Sequence, residues 1–373
     1  MSILYDEGQE AIAIEASRVC AARSDKARLL GLLEQTDAYD ETFWQTAIEQ
    51  GWTGLAIPEE FGGIGLSLIE LGIVAQACGG PIAGAPFLTA NHGAAHALLG
   101  GENEALKAKW LPRLASGEVI AAVAFAESQA PLPPRPIARL TAAGLAGEKP
   151  GVTGAAHAHI AVVWALEDGE PALVLCELAD VSKTVLAGFD NTRGYADLTF
   201  AGSPGEVIAR GDRATTLARE VLARMAVVTA HEQVGGAAAL LTIARDYAVT
   251  RKAFGQFIGG FQSVKHRIAE MYGLVEIARA NCIHAASRAK NSGVEADFLK
   301  AAAAARLSAT EAYDTAARDC IQIHGGIGVT WDTGLHLHMR RTRSLAIEQG
   351  NMYFWEDLLA EQLSGQNVTG ATA

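Results

Sequence analysis

The chain has 373 residues, half of them hydrophobic, with 30 Lys and Arg against 42 Asp and Glu and a formal charge of −12. That length admits two or three domains, and the acidic balance lacks the phosphate-neutralising surface that a nucleic-acid partner requires. No apolar run reaches the ~18 residues of a membrane helix, the start Met-Ser-Ile-Leu-Tyr-Asp-Glu lacks the regions of a secretory signal, and five scattered cysteines make no zinc spacing, so the expectation is a soluble cytoplasmic protein with buried thiols, no membrane association and no metal.

The first stretch, residues 1–116, reads as a helical domain. Ala11, Ile14, Ala16 and Val19 recur near helical spacing, and Thr42 through Ile48 gives another amphipathic segment. Gly51 stops that helix. Pro58 to Gly65 carries too many helix breakers to continue it, and reads as a rigid corner leading into a helix from Leu66 to Cys78.

Residues 117–209 change texture. Ile160–Leu166 and Ala172–Leu178 are β-rich runs around Glu167-Asp168-Gly169-Glu170-Pro171, which reads as a hairpin. Thr184–Leu186 and Tyr195–Phe200 suggest a second pair. Four prolines at 131, 133, 134 and 136 forbid a central strand and imply a loop. This is a small middle β domain.

In residues 210–373 helices return, expected at Thr216–Thr250, at Phe261–Lys290 and through Ala301–Ala305 to Gln322. Val264, Ile268, Met271, Val275 and Cys282 lie along one face of the second. Alanine-rich helices pack closely, so three long ones and a terminal one predict a four-helix bundle. Ser364 to Ala373 reads as disordered. The fold class is therefore α+β: an N-terminal α-helical domain, a small β domain and a C-terminal four-helix bundle.

Two motifs carry the chemistry. Arg251-Lys-Ala-Phe254-Gly-Gln256 closes the first long helix and Gln322-Ile-His-Gly-Gly-Ile-Gly328 closes the third. A guanidinium offers a planar fork of donors to phosphate oxygens, and glycines let backbone N–H groups approach them. Glycines past a helix end can also simply terminate it. Among the histidines, His324 reads as packing, and His336 and His338, on an extended or turning segment, lack a third ligand for a metal.

These blocks, with Phe261-Gln262-Ser-Val-Lys-His266 and the earlier Gly51-Trp52 and Leu55-Ala-Ile-Pro-Glu-Glu-Phe-Gly-Gly-Ile-Gly-Leu66, resemble the acyl-CoA dehydrogenase family of flavoproteins in order and separation over nearly the whole chain. The resemblance implies oxidation of an acyl-CoA thioester to its 2,3-enoyl product. A carboxylate takes the α-proton, FAD accepts hydride from the β-carbon, and electron-transfer flavoprotein is the electron partner, as in lipid β-oxidation. It implies that Arg251 binds phosphate, Phe254 packs on the cofactor, Gln262 lies near the adenine, and Gln322, Gly325 and Gly326 cradle the diphosphate of FAD held by a neighbouring subunit. A homo- or hetero-oligomer, dimer or tetramer, follows from that.

The base is where this sequence departs from the family. Its usual glutamate position falls at Gln349, whose amide cannot accept the proton, and Glu348, one residue off, reads as a solvated charge. An alternative helix position falls at Met225. Two turns on, Glu232 stands in a small, apolar stretch, where a carboxylate needs a task or a partner. Glu232 is thus the candidate base, against an ion pair with Arg245 or Arg224 or simple exposure. The usual flavin-contacting stretches are also eroded, to Phe125-Ala-Glu-Ser-Gln-Ala-Pro131 and Gly151-Val-Thr-Gly-Ala155. Two readings follow: an FAD-dependent acyl-CoA dehydrogenase, or a catalytically silent subunit that completes the FAD site of an active homologue. A flavin monooxygenase or nitroalkane oxidase on the same fold is a third.

Overall fold

The computed structural model describes residues 5–23, 25–83, 87–289 and 296–364. Six helices come first: α1 (Glu7–Arg23), α2 (Lys26–Leu33), α3 (Glu41–Glu49), α4 (Leu68–Gly79), α5 (Phe87–Gly100) and α6 (Glu104–Ala115). Local chemistry sets their starts. Asp25, Asp40 and Asn103 cap α2, α3 and α6 through side-chain oxygens, and Ser67 with Glu70 forms a reciprocal capping box on α4. The Pro58 corner is a short 3₁₀ turn closed by Gly62 at φ +80°.

Eight strands follow: β1 (Ala121–Ala124), β2 (Arg139–Thr141), β3 (Gly144–Val152), β4 (Ile160–Glu167), β5 (Glu170–Glu177), β6 (Ser182–Val185), β7 (Ala196–Ser203) and β8 (Gly205–Arg210). They form one sheet in the order β6-β7-β3-β2-β4-β5-β8, with β1 parallel to β4. The expected hairpin is β4–β5, in register from Ile160↔Glu177 to Glu167↔Glu170, and the second pair is β6–β7. β4 is buried along nearly its whole length, which explains its unbroken apolar run.

The chain then enters α7 (Gly211–Thr250), a tiny hairpin of β9 (Lys252–Ala253) and β10 (Gln256–Phe257), and helices α8 (Gln262–Arg288), α9 (Ala296–His324), α10 (Leu335–Leu345) and α11 (Met352–Ser364). His336 and His338 thus sit on a helix, not on an extended segment. α7 starts five residues before the sequence suggests, because Gly211 at φ +57° turns the chain straight from β8 into the helix. The expected disorder from 365 onward lies outside the described residues.

α7 is the axis of the molecule. Its 40 residues extend about 60 Å, and its middle, from Met225 to Ala237, is buried throughout. Glycine makes this possible. A Cβ on Gly235 would lie 1.9 Å from the Gln76 carbonyl oxygen, and one on Gly79 would lie 2.0 Å from that of Glu232, so α4 and α7 touch backbone to backbone. Among the described residues, no helix is long and apolar enough to cross a membrane, and no cluster of three His, Cys, Asp or Glu could hold a metal.

Candidate functional site

A cavity of about 370 Å³ opens where the three regions meet. α5 gives Thr89 and Ala90, α7 gives Leu222 and Met225, and the turn between α10 and α11 gives Ile347 to Asn351. The remaining wall comes from the two eroded stretches, with Phe125, Ala126, Ser128 and Gln129 from one and Gly151 to Thr153 from the other. Segments that the sequence leaves 26 residues apart thus share a wall.

The first stretch is fixed from behind. Glu127 accepts the N–H groups of Ile137 and Ala138 and pairs with Lys149 at 2.7 Å. Lys149 is fully buried. Burial drives its pKa down to about 8, against the opposing pull of Glu127.

The turn between α10 and α11 presents Gln349 in a strained conformation, φ +55°, beside Gly350 at φ +106°. Its amide oxygen accepts from Thr229 Oγ1 at 2.9 Å. Glu348 is not the solvated charge expected from its neighbours: it is 5% exposed. Arg193 grips it with both arms of the guanidinium, at 2.9 and 2.6 Å, and Tyr195 donates its hydroxyl at 2.9 Å. Burial raises the Tyr195 pKa well above its ordinary value, and the Glu348 charge adds to that rise.

Glu232 is placed one helix turn below, and it is not on the cavity wall. Its partners are Arg341, at 2.5 Å, and Arg193, at 3.4 Å. The alternative partners named from the sequence are corrected: Arg245 pairs with Asp246 and Arg224 with Glu220. Arg341 also holds Asp190 at 2.7 Å and donates to Thr192. Burial alone would push the Arg341 pKa down, but Asp190 and Glu232 outweigh it and hold the guanidinium charged. Below this layer Arg306, also buried, donates to the Gln233 amide oxygen and to the backbone carbonyls of Leu345 and Glu348. Three arginines and three carboxylates therefore neutralise one another in the interior, the condition under which charges persist without water.

The other motif residues gather at the far end of α7. Arg251 is exposed at its C-cap. Phe254 stands 96% in solvent at φ +50° on the β9–β10 turn, edge-on to Phe261 with ring centroids 6.2 Å apart. Gln262 opens α8, and Gln322 lies exposed on the last turn of α9. Gly325, at φ +64°, and Gly326 have open space where a Cβ would be. His324 stacks on Tyr247 at 4.0 Å, and Tyr247 lies one turn before Arg251, so the two motifs share one end of the bundle. Among the described residues Arg251 is in no ion pair, which leaves a cation, an aromatic ring and an open glycine backbone available to a phosphate-bearing cofactor.

Sequence reasoning missed Asp190, Arg193, Arg306 and Arg341. No local signal marks them, since the Arg193–Glu348 pair spans 155 residues.

Comparison with known proteins agrees with this architecture. Models of the acyl-CoA dehydrogenase N-terminal and C-terminal domains match residues 6–118 and 215–363. The acyl-CoA dehydrogenase IpdE2 of Mycobacterium tuberculosis is 30% identical over 332 residues, covering 87% of this chain and 88% of the relative. The ChsE4–ChsE5 complex from Mycobacterium tuberculosis superposes with a TM-score of 0.87 at 24% identity, covering 99% of this chain and 100% of that one. A glutaryl-CoA dehydrogenase from Mycobacterium smegmatis, solved with FADH2, gives a TM-score of 0.87 at 18% identity, covering 98% and 97%. This chain belongs to the acyl-CoA dehydrogenase family.

Proposed function

We propose that this chain works in the FAD-dependent oxidation of an acyl-CoA thioester to its 2,3-enoyl product, as the subunit that completes a cofactor site rather than the one that bears the base. One observation carries this reading: in the described wall of the cavity the carboxylate, Glu348, is locked to Arg193 and Tyr195, and its neighbour at 349 is an amide held by Thr229. A general base must have a lone pair free within reach of the proton it takes. Glu348 already accepts three hydrogen bonds, and a proton taken there would leave the buried Arg193 guanidinium without its counter-charge.

FAD, when bound, supplies the two-electron acceptor. The residues at the far end of α7 fit it. Arg251 would hold a phosphate, Phe254 would pack on the cofactor, Gln262 would face its adenine end, and Gln322 with the backbone of Gly325 and Gly326 would line the diphosphate. These groups point away from their own chain's core, so the cofactor they serve belongs to a site shared with a second subunit. A dimer or tetramer follows, in the cytoplasm, with electron-transfer flavoprotein as the acceptor of electrons from the assembly.

The second reading, a self-sufficient dehydrogenase with Glu232 as base, is favoured by the burial of Glu232 beside the cavity floor. It needs Glu232 to leave Arg341 and Arg193. Purification separates the two. Protein produced alone that is colourless, and turns yellow only when co-produced with a base-bearing homologue, supports the completing subunit. Protein yellow on its own and bleached by an acyl-CoA defeats it.

A further inference from the structure

A second cavity, of about 180 Å³, lies on the other side of the contact between α5 and α7. Its lining includes Leu99 and Ala289, but its character comes from His92, His96 and Arg224. The two cavities share a partition. Met225, on the wall of the first, packs on Gly93 so closely that a Cβ there would lie 2.5 Å from its Sδ, and Gly93 adjoins His92 in the chain. On α5, Thr89 and Ala90 face the first cavity, while His92 and His96, one turn on, face the second. Methionine, unbranched and with three rotatable bonds, is a partition that can move.

The second cavity is rich in donors, and its one arginine is matched by a carboxylate. His96 Nε2 and Arg224 Nε both lie against Glu220 Oε1, at 2.9 and 3.2 Å, and Arg224 Nη2 donates to the Ala289 carbonyl at 2.8 Å. Burial raises the Glu220 pKa, but the hydrogen bond and charge of His96 and the charge of Arg224 outweigh it and hold the carboxyl at about 2. Glu220 therefore cancels Arg224. His92 is 8% exposed, and its Nε2 has no hydrogen-bond partner among the described residues. Burial, then the charge of Arg224, hold it neutral. A buried polar atom without a partner is costly, and the neutral His92 imidazole, with Nε2 carrying its proton, is built to donate to an uncharged acceptor.

We propose that this cavity receives the far end of the acyl group, past Met225, and that His92, His96 and Arg224 select CoA thioesters bearing a carbonyl oxygen there. The inference takes the first cavity of this chain to admit the thioester end of an acyl-CoA, whether or not the chain bears the base.

Titration calorimetry of the assembled protein with non-oxidisable CoA thioethers of equal length tests it. One carries a distal methylene, one a distal ketone and one a distal carboxylate. The ketone is expected to bind about tenfold more tightly than the methylene, the effect of a hydrogen bond from a charged or buried donor. His92→Phe and Arg224→Met should bring the two within about twofold while the methylene ligand keeps its affinity. If Arg224→Met does not fold, His92→Phe carries the test. Equal binding of ketone and methylene to the native protein, loss of both in His92→Phe, or tighter binding of the carboxylate each overturns the assignment with the acyl-CoA reading intact. Failure of all three ligands to bind overturns that reading, and this inference with it.

Discussion

Arg193 and Glu348 meet across 155 residues of chain in a two-pronged ion pair that is almost wholly out of solvent. The link joins the loop between β6 and β7 to the turn after α10, and so fixes the floor of the cavity to the sheet. Burial alone would lower the Arg193 pKa, but Glu348 and Glu232 raise it well above its ordinary value.

Arg193→Met should destabilise the protein by about 3–5 kcal/mol, because it strands the buried Glu348 carboxylate without its counter-charge and leaves Glu232 with Arg341 alone. Urea unfolding measures this. Arg193→Lys should recover only part of the loss, since an ammonium cannot reproduce the paired hydrogen bonds to Glu348.

Glu232→Gln separates a charge-balancing residue from a base. We expect stability to fall by about 2–4 kcal/mol, as Arg341 and Arg193 lose a shared partner, with turnover of the assembled enzyme retained at temperatures where it stays folded. Abolished turnover with an unchanged unfolding midpoint would restore Glu232 to the base role.

Gln349→Glu places a carboxylate on the cavity wall, hydrogen-bonded by Thr229 as the amide is now. The backbone there already holds φ +55°, so the side chain keeps its aim. On the proposed reading, turnover of an acyl-CoA with an artificial electron acceptor should rise well above that of the native chain. Continued inactivity with flavin bound would mean that more than the base is missing.

Gly326→Ala should leave the unfolding midpoint within about 0.5 kcal/mol of the native value, since the new methyl meets nothing within 4 Å. If Gly326 lines the diphosphate as proposed, flavin retention by the assembled protein should drop, because the methyl would stand against it. Full retention after gel filtration would remove the Gly325–Gly326 cradle from the site.

Acid stability follows from His338. It is buried, its Nδ1 lies 2.9 Å from the Tyr313 hydroxyl, and burial with the nearby Arg341 charge lowers its pKa to about 3. The unfolded chain takes up this proton near pH 6.5, the folded one only near 3, so stability is complete above 6.5 and declines as pH falls between those values. His338→Gln should flatten that decline by a few kcal/mol in urea midpoints measured from pH 7 to 4.

The helices and hairpins were legible because each is a local matter of period and punctuation. Ile160–Glu167 is a continuous apolar run closed by Asp168-Gly169, and the hairpin stands there. The Arg251 and Gln322 motifs stood out for the same reason, as contiguous strings of unusual composition, and the structure brings them to one end of the bundle. The charged layer was not. Glu232, seen from its neighbours, is a lone carboxylate in an apolar helix, and nothing near it in sequence discloses that Arg193 comes from the sheet and Arg341 from a helix 109 residues on. For Glu348 the same blindness turned a buried, doubly gripped group into an apparent surface charge.

Phe254, held at a φ that L-residues adopt at a cost of about 1–2 kcal/mol and with 96% of its surface in water, meets its own chain only edge-on at Phe261 among the ring contacts of the described residues. A lone protomer therefore carries a sticky tip. Its yield and monodispersity should track how well its production is matched to that of whatever covers the ring.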